Sequence, residues 1–335
     1  MRVCIITIFD EMNYGAYLQA FALGKKVEEY GHQVFFYQRK KWSVLDSIHA
    51  LHLRNPKHVF FYNELLRNFK SNWKLLKTTN NLDESFDLAI IGSDELWNVK
   101  NYNFEHERYY IGEGISARKR ITYAVSSNNC TEKEFIEQYS NVNDFEYLNA
   151  ISVRDKNTQD IVQLVSNRKP VIVLDPTFLI QFNSSSNTII EKYILIYGYY
   201  FTDEEVIKIK KYVSKNFNAK LISVGFYHPW CDKNIACSPL EFIDYIKNAQ
   251  FVITSTFHGT VLSINLRKNF ITFARNNLKI LDVLLKFALE NRNATVNIMD
   301  SISKTVCYGK EFDNRISYWT KQSTDYLERY LGDLV

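Results

Sequence analysis

The sequence predicts an α/β protein with two Rossmann-like domains. Short apolar runs typical of buried strands alternate with helical stretches in two successive blocks, as in domains with a parallel sheet. The chain has 335 residues, which suits two domains of about 150 residues each. Its hydrophobic content of 46% is sufficient for two cores, and the polar stretch NSSSNT at 183–188 is typical of a surface linker.

The first block predicts a domain over residues 1–178. Its buried strands are VCIITIF, QVFFYQ, DLAIIGS, RITYAVS and AISVRD, and the proline-containing KPVIVLDPTFLI leads into a connection. Between the first two strands, AYLQAFALGKKVEEYG has apolar residues at helical spacing, and Gly31 is suited to end that helix. A basic insertion with helical periodicity interrupts the alternation at about residues 40–78.

The second block predicts a domain over residues 179–312. It begins with a strand at Tyr193–Tyr200 and a helix from Asp203 to about Asn216. The alternation continues with the strand KLISVG, the helix PLEFIDYIKNA, the strand FVITS, a further helix and the strand NFITFA. The last segment, 313–335, has a helical pattern, and we expect it to pack back on the first domain.

Composition excludes several classes of protein. The net charge of +4 is too small to favour nucleic acid as a partner. The five cysteines are odd in number and scattered, which argues against a disulfide framework, and Cys231 and Cys237 have only His228 nearby as a further metal ligand. The first residues enter a strand pattern directly, and no apolar run approaches the roughly 18 residues of a membrane span. We therefore expect a cytoplasmic protein without a metal site.

Residues 39–77 combine basic side chains with interleaved Trp, Phe, Leu and His. One interpretation is a pair of helices with a solvated basic face. The other is peripheral contact with anionic headgroups at the inner face of the membrane, which would suit a lipid-linked substrate.

The predicted strands end in small or polar residues. The carboxyl ends of parallel strands meet at one edge of a sheet, which is where α/β proteins bind ligands. Taken singly, each such residue is more often a turn or cap residue, but several together indicate a site at this edge. The candidates in the first block are Ser93, Asp94, Asn98, Ser126 and Arg154.

Arg154 follows a buried strand, where an unpaired guanidinium is costly. One partner would be an acidic residue of the chain itself, namely Asp155, Asp160 or Asp175. The other would be a carboxylate or phosphate of a substrate, which the planar guanidinium binds with two hydrogen bonds.

The stretch FVITSTFHGTVLSI predicts an anion site. The strand is expected to stop at Ser255, Gly259 to let the backbone turn closely, and a helix to begin at Thr260. A helix N-terminus offers unpaired N–H groups to an anion, so Ser255, Thr256 and Gly259 are candidates for binding it. His258 is placed to bind a phosphate or to donate a proton, although a packed or capping histidine would give the same pattern.

The motifs together resemble a known family. NYGAYLQAFAL, DLAIIGSDELWN, ITYAVSSN, ISVRD, VLDPTFLI, the block from SPLEF to TFHG, and LLKFALENR occur in this order, over about residues 3–292. This order resembles the polysaccharide pyruvyl transferase family. The most specific elements are the SPLEF-to-TFHG block, GSDELWN and NYGAYLQA.

The resemblance implies a GT-B-like arrangement of the two domains, with the active site in the cleft between them. It implies phosphoenolpyruvate as donor and co-substrate, with no other cofactor. The acceptor would be a sugar of a surface polysaccharide, capsular or exopolysaccharide, or of its lipid-linked precursor. The product would be a pyruvate ketal bridging two hydroxyls of that sugar.

The resemblance also implies residue roles. His258 would be the general acid/base, and Arg154 would bind the carboxylate or phosphate of the donor, with Lys279 as a further cation on the donor side. The residues expected to line the cleft on the acceptor side are Asn13, Gly15, Ser93, Asp94, Asn98 and Ser126.

The sequence departs from the family pattern at three positions. Thr256 stands where some members have an arginine that contacts the donor, Lys279 stands where arginine is common, and Glu95 stands where glutamine is common. Lysine keeps the charge of arginine but loses its two-pronged hydrogen bonding. The cations that could replace the missing arginine are Arg267, Lys268, Arg275 and Lys279.

Two other functions fit the pattern. A GT-B glycosyltransferase that uses a nucleotide-sugar would share the cleft, and it would need a ribose-binding carboxylate for which Glu290 is the candidate. A protein that binds glycan or organises a capsule assembly complex without catalysis would be favoured if His258 were buried and hydrogen-bonded within the protein.

Overall fold

Each half of the chain contains a parallel sheet. The computed structural model describes residues 1–39, 56–101, 107–139, 142–183 and 191–332. The first sheet has five parallel strands in the order β3–β2–β1–β4–β5. They are β1 (Arg2–Ile6), β2 (Gln33–Tyr37), β3 (Thr78–Thr79), β4 (Phe86–Ile91) and β5 (Ala117–Thr122).

Two further strands, β6 (Ser152–Val153) and β7 (Val171–Ile172), pair with each other beside this sheet. Isolated bridges connect this pair to the sheet, at Ile121–Ala150 and Val125–Val153. The strand predicted at 150–155 is therefore shorter than expected. It ends early because Asp155 already caps the next helix, accepting a hydrogen bond from Thr158 N at 2.9 Å.

The described helices of the first half are α1 (Tyr14–Glu29), α2 (Pro56–Trp73), α3 (Glu132–Gln138) and α4 (Lys156–Ser166). Gly31 follows α1 with a φ of +81°, as expected of the residue that ends a helix. Of the predicted basic insertion, α2 is helical, and residues 40–55 lie outside the described residues.

The second sheet has the parallel order β10–β9–β8–β11–β12. Its strands are β8 (Tyr193–Tyr197), β9 (Lys220–Val224), β10 (Lys233–Ile235), β11 (Phe251–Thr254) and β12 (Phe270–Thr272). The accompanying helices are α5 (Asp203–Asn216), α6 (Pro239–Asn248), α7 (Phe257–Asn265) and α8 (Leu278–Lys286). The predicted α/β fold with two parallel sheets is confirmed.

The last helix, α9 (Lys310–Leu331), lies against the first half of the chain. Ser323 Oγ accepts a hydrogen bond from Leu174 N at 2.8 Å, and the Tyr326 hydroxyl donates to Thr122 O at 2.9 Å. The domain limits at 178/179 and 312/313 stay predictions. In the described ranges we find no helix with the length and hydropathy needed to cross a membrane.

Tyr14, in the first turn of α1, joins the two halves. Its ring stacks on Phe69 of α2 at 5.1 Å and on Phe242 of α6 at 4.5 Å between centroids. Its hydroxyl donates to Cys237 O at 2.8 Å. Gly225 has a φ of +77°, and a Cβ there would lie 2.4 Å from the Tyr14 ring. This packing brings the N-terminus of α1 to the carboxyl ends of both sheets.

Candidate active site

Helix α7 begins three residues earlier than predicted. Thr256 is its N-cap, and Oγ1 of Thr256 accepts a hydrogen bond from Gly259 N at 2.9 Å. Gly259 therefore belongs to the first turn of the helix and not to a loop before it. A Cβ atom at this position would lie 2.1 Å from Oγ1 of Thr254. The N–H of Gly259, predicted to bind an anion, is already satisfied by Thr256. Ser255 lies between the strand and the helix, and its side chain packs closely against Gly198. A Cβ atom on Gly198 would lie only 2.3 Å from Oγ of Ser255.

His258, in this first turn, is buried between the two domains with 9% of its surface exposed. Its Nε2 lies 3.5 Å from Oδ2 of Asp175, without the alignment of a hydrogen bond. Its Nδ1 faces Gly15 on α1, where a Cβ atom would come within 2.0 Å. The imidazole is thus held by a carboxylate on one side and by the backbone of α1 on the other.

Asp175 is a carboxylate that the sequence pattern suggested only as a partner of Arg154. Its Oδ1 accepts from Thr177 N at 3.0 Å and from Thr177 Oγ1 at 2.7 Å, while Oδ2 accepts from Arg154 Nη1 at 3.0 Å. Burial acts to raise the pKa of Asp175, but His258, Arg154 and the Thr177 amide together hold it well below its usual range. Asp175 is therefore an anion fixed in place beside His258.

Arg154, which follows β6, is 3% exposed. Of the acidic partners predicted for it, Asp175 accepts from Nη1 at 3.0 Å, and Asp94, which was not among them, has its Oδ1 3.5 Å from Nη2. The guanidinium also lies 4.2 Å from the ring centre of Phe257. Among the described residues, its Nε and Nη2 atoms have no hydrogen-bond partner. Buried donors of this kind mark a place where an anionic ligand would be favourable.

Lys279, in the first turn of α8, is also buried, with 3% exposed. Its ammonium is bonded to the carboxylate of Glu95, which follows β4 in the other domain. Burial acts to raise the pKa of Glu95, but Lys279, Arg154 and Asn98 together outweigh it and lower the pKa to about 2. Asn98 and Asn128 donate to the same carboxylate at 2.7 and 3.0 Å. The predicted donor-binding lysine is thus part of an ion pair between domains.

The residues predicted to line the cleft on the side of the first domain differ in how deeply they are buried. Asn13 caps α1 and its Nδ2 donates to the hydroxyl of Tyr199 at 3.1 Å, across the cleft. Asp94 is partly exposed beside Arg154. Ser93 and Ser126 are fully buried rather than in the cleft lining, because their hydroxyls donate to the side chains of Gln19 at 2.8 Å and Asp155 at 2.6 Å.

Three of the four cations that could replace the missing arginine are bonded to groups outside the candidate site. Arg267 pairs with Asp313, Lys268 donates to a main-chain carbonyl at 2.8 Å, and Arg275 pairs with Glu205 at 2.8 Å. Lys279 alone of the four lies beside Arg154, since both cations contact the ring of Phe257.

Glu11, which the sequence pattern did not single out, lies in the loop after β1. Burial raises the pKa of Glu11 to about 7, with Arg39 opposing and Asp94 and Asp10 adding to the rise. A carboxyl group that titrates near neutrality beside a cleft is a candidate for proton transfer. Glu290, the carboxylate considered for ribose binding, is exposed at the start of a short 3-10 helix.

Two Rossmann-like domains that meet at the carboxyl ends of their sheets define a GT-B fold, and the comparisons agree. A UDP-N-acetylglucosamine 2-epimerase is similar with a TM-score of 0.56 and 10% identity, over 98% of this chain and 95% of that one. The Methanocaldococcus jannaschii UDP-GlcNAc 2-epimerase has a TM-score of 0.50 and 13% identity over 99% of both chains. The spinosyn rhamnosyltransferase SpnG has a TM-score of 0.50 and 8% identity over 99% of this chain and 100% of that one. At these identities the similarity establishes the fold alone.

The family model for polysaccharide pyruvyl transferase matches residues 13–277. The chain therefore belongs to the polysaccharide pyruvyl transferase family, as the order of its motifs predicted. No curated protein matches the sequence significantly. Membership of the family implies a transferase and a polysaccharide acceptor.

Proposed function

We propose that this protein transfers the pyruvyl group of phosphoenolpyruvate to two hydroxyls of one sugar, forming a cyclic ketal. The observation that supports the proposal is the convergence of His258, Asp175 and Arg154 where the two domains meet. A proton donor next to a cationic anion site is the minimum that this chemistry requires.

The proposed reaction has three bond-forming steps. A proton adds to the methylene carbon of phosphoenolpyruvate, which leaves cationic character at C2. One sugar hydroxyl adds to C2 and loses its proton. A second hydroxyl then displaces inorganic phosphate from C2, and its proton leaves with the products. Phosphoenolpyruvate and a diol thus give a pyruvate ketal and phosphate.

The residues have distinct roles in this scheme. His258 donates the proton to the methylene carbon and can take one from an acceptor hydroxyl. Oδ2 of Asp175 faces Nε2 of the imidazole at 3.5 Å, and the same oxygen accepts from Nη1 of Arg154 at 3.0 Å and keeps the guanidinium in place. The Nε and Nη2 atoms of Arg154, which have no hydrogen-bond partner in the part of the chain that the structure describes, bind the carboxylate or phosphate of the donor by donating to it.

The first test is thermal unfolding of the full chain with phosphoenolpyruvate and, separately, with a panel of nucleotide-sugars. A ligand that binds the native state raises the melting temperature. We expect a rise with phosphoenolpyruvate that is reduced in Arg154→Ala, followed by phosphate release once a suitable acceptor sugar is added. A rise with nucleotide-sugars alone would contradict the proposal and favour a glycosyltransferase.

The acceptor is proposed to be a sugar of a surface polysaccharide or of its lipid-linked precursor, reached from the cytoplasmic side. In support of a lipid-linked acceptor, helix α2 exposes Phe60, which is 73% accessible, together with basic residues on the same helix. They are Lys57, Arg67 and Lys70. Such a surface suits anionic headgroups, so we propose peripheral membrane contact through residues 39–77.

A further inference from the structure

The ion pair between Glu95 and Lys279 has a consequence for anion binding. Lys279 is 3% exposed, and its ammonium is bonded to a carboxylate contributed by the other domain. Any oxyanion that binds this lysine meets a partner already in place. The cost of binding therefore includes the separation of a largely buried ion pair.

Glu95 is more exposed than Asp175, the carboxylate that pairs with Arg154. Asp175 is 1% exposed and accepts two hydrogen bonds from Thr177 in addition to that from Arg154. Glu95 is 21% exposed, and apart from Lys279 its carboxylate is held by two asparagine side chains of the same domain. Asp175 is thus fully enclosed by the protein, whereas the side chain of Glu95 borders solvent.

The two buried cations are neighbours. Arg154 and Lys279 lie 4.2 and 5.3 Å from the ring centre of the same Phe257. Together with Lys286 and three carboxylates, they line a small cavity of about 10 Å³, close to the space for one water, and Glu95 is not part of its lining. The carboxylates are those of Asp155, Asp175 and Asp282. An oxyanion is much larger than one water and does not fit in this cavity. To bind the ammonium of Lys279, an oxyanion therefore has to take the place of the Glu95 carboxylate that is bonded to it.

From this geometry we propose that Glu95 is an internal competitor of the donor, and that its carboxylate occupies Lys279 until an oxyanion displaces it. The identity of the oxyanion as phosphoenolpyruvate rests on the proposed function. The competition itself does not, because inorganic phosphate would displace Glu95 in the same way. In this scheme Glu95 sets the affinity of the site for its donor.

The test is calorimetric titration of the full chain with inorganic phosphate and with phosphoenolpyruvate, for wild type and Glu95→Gln. Glutamine has the shape of glutamate but no charge, so it competes weakly for the ammonium. Close charge pairs are coupled by about 1.5 kcal/mol or more, and we expect phosphate to bind Glu95→Gln about tenfold more tightly than wild type. In the double variant Glu95→Gln/Lys279→Gln the gain should disappear.

Glu191→Gln is the matched control. Glu191 pairs with Lys220 and Lys233, which begin β9 and β10 at the opposite edge of the second sheet. The substitution changes the net charge equally and should leave phosphate affinity at the wild-type value. Glu95→Ala provides a second variant with the same expected gain, should glutamine perturb folding.

The outcomes separate the two proposals. Tighter phosphate binding by Glu95→Gln supports the competition even if phosphoenolpyruvate is neither bound nor consumed, a result that would refute the proposed function alone. Equal phosphate and phosphoenolpyruvate affinities in wild type, Glu95→Gln and Glu95→Ala would overturn the competition, whether or not the wild type consumes phosphoenolpyruvate. No anion binding by any variant would overturn it as well.

Discussion

Gly15 of α1 and His258 of α7 are in direct contact between the two domains. A Cβ atom at position 15 would lie 2.0 Å from Nδ1 of the imidazole and 2.2 Å from its Cγ. No side chain fits at that distance, so glycine at this position allows the helix N-terminus and the histidine to approach each other. The position of the proposed proton donor thus depends on a residue of the other domain.

Gly15→Ala should displace His258 and lower the rate of phosphate release from phosphoenolpyruvate in the presence of acceptor. Displacement of a catalytic group by about 1 Å costs roughly 100-fold in rate. The measurement is kcat/KM beside the free energy of unfolding. Gly24→Ala on the same helix is the control, because its Cβ would lie 2.6 Å from the Phe36 ring in the core. Both variants should lose about 1–3 kcal/mol of stability, and equal activity in the two would contradict the assigned role of Gly15.

Asp175→Asn should destabilise the protein by about 3–5 kcal/mol, because it removes the one carboxylate that is hydrogen-bonded to the buried guanidinium of Arg154 among the described residues and leaves Asp94, at 3.5 Å, as its neighbouring charge. It should also lower activity, since the carboxylate no longer holds His258. Urea denaturation and phosphate release measure the two effects. Asp144→Asn also removes a buried carboxylate, one bonded to Arg108 at 2.8 Å. It should lower stability with little effect on activity, and activity lost to the same extent in both variants would argue against the positioning role of Asp175.

Because of the Glu95–Lys279 pair, the free energy of unfolding should decrease when the pH becomes acidic. The pKa of Glu95 is lowered from 4.5 to about 2 in the folded protein. On acidification the unfolded chain therefore takes up this proton first, and the pair's contribution to the free energy of unfolding is complete above pH 4.5 and lost toward pH 2. The contribution is at most about 3 kcal/mol. Denaturation of wild type and Glu95→Gln at several pH values measures it: the difference in unfolding free energy should be largest near neutrality. A difference that grew on acidification would contradict the assignment.

The local features of the fold followed from the sequence because they depend on neighbouring residues. Alternating apolar and helical segments predicted both sheets, and strand ends predicted the edge where Arg154 and His258 lie. The start of α7 was placed too late because glycine disfavours helices, while the capping hydrogen bond that Gly259 N donates to Oγ1 of Thr256 decides the actual start. A side-chain cap of this kind outweighs intrinsic propensity within one turn.

The contacts that shape the candidate site could not be read from local pattern. Lys279 pairs with Glu95, and His258 packs on Gly15, between segments far apart in sequence. Only the docking of the two domains brings them together. Strand ends also do not show which side chains point into a cleft, and Ser126 proved to be buried under the surface. The sequence showed separately that Glu95 and Lys279 depart from the family pattern. It did not show that these two side chains form an ion pair.

The proposed membrane contact predicts binding to anionic vesicles. Phe60 is 73% exposed on α2, and Arg67 and Lys70 are exposed on the same helix. Each basic residue near an anionic surface contributes about 1 kcal/mol, and this attraction is screened by salt. The wild type should co-sediment with phosphatidylserine-containing vesicles at low salt and much less at high salt.

Variants of this surface test the assignment. Phe60→Ser combined with Arg67→Glu and Lys70→Glu should abolish the binding. The control Lys133→Glu, which changes an exposed lysine of α3, should retain it. Equal sedimentation of the triple variant and wild type would place any membrane contact elsewhere, and phosphate release with a soluble acceptor should be unchanged in the triple variant because these side chains lie outside the site.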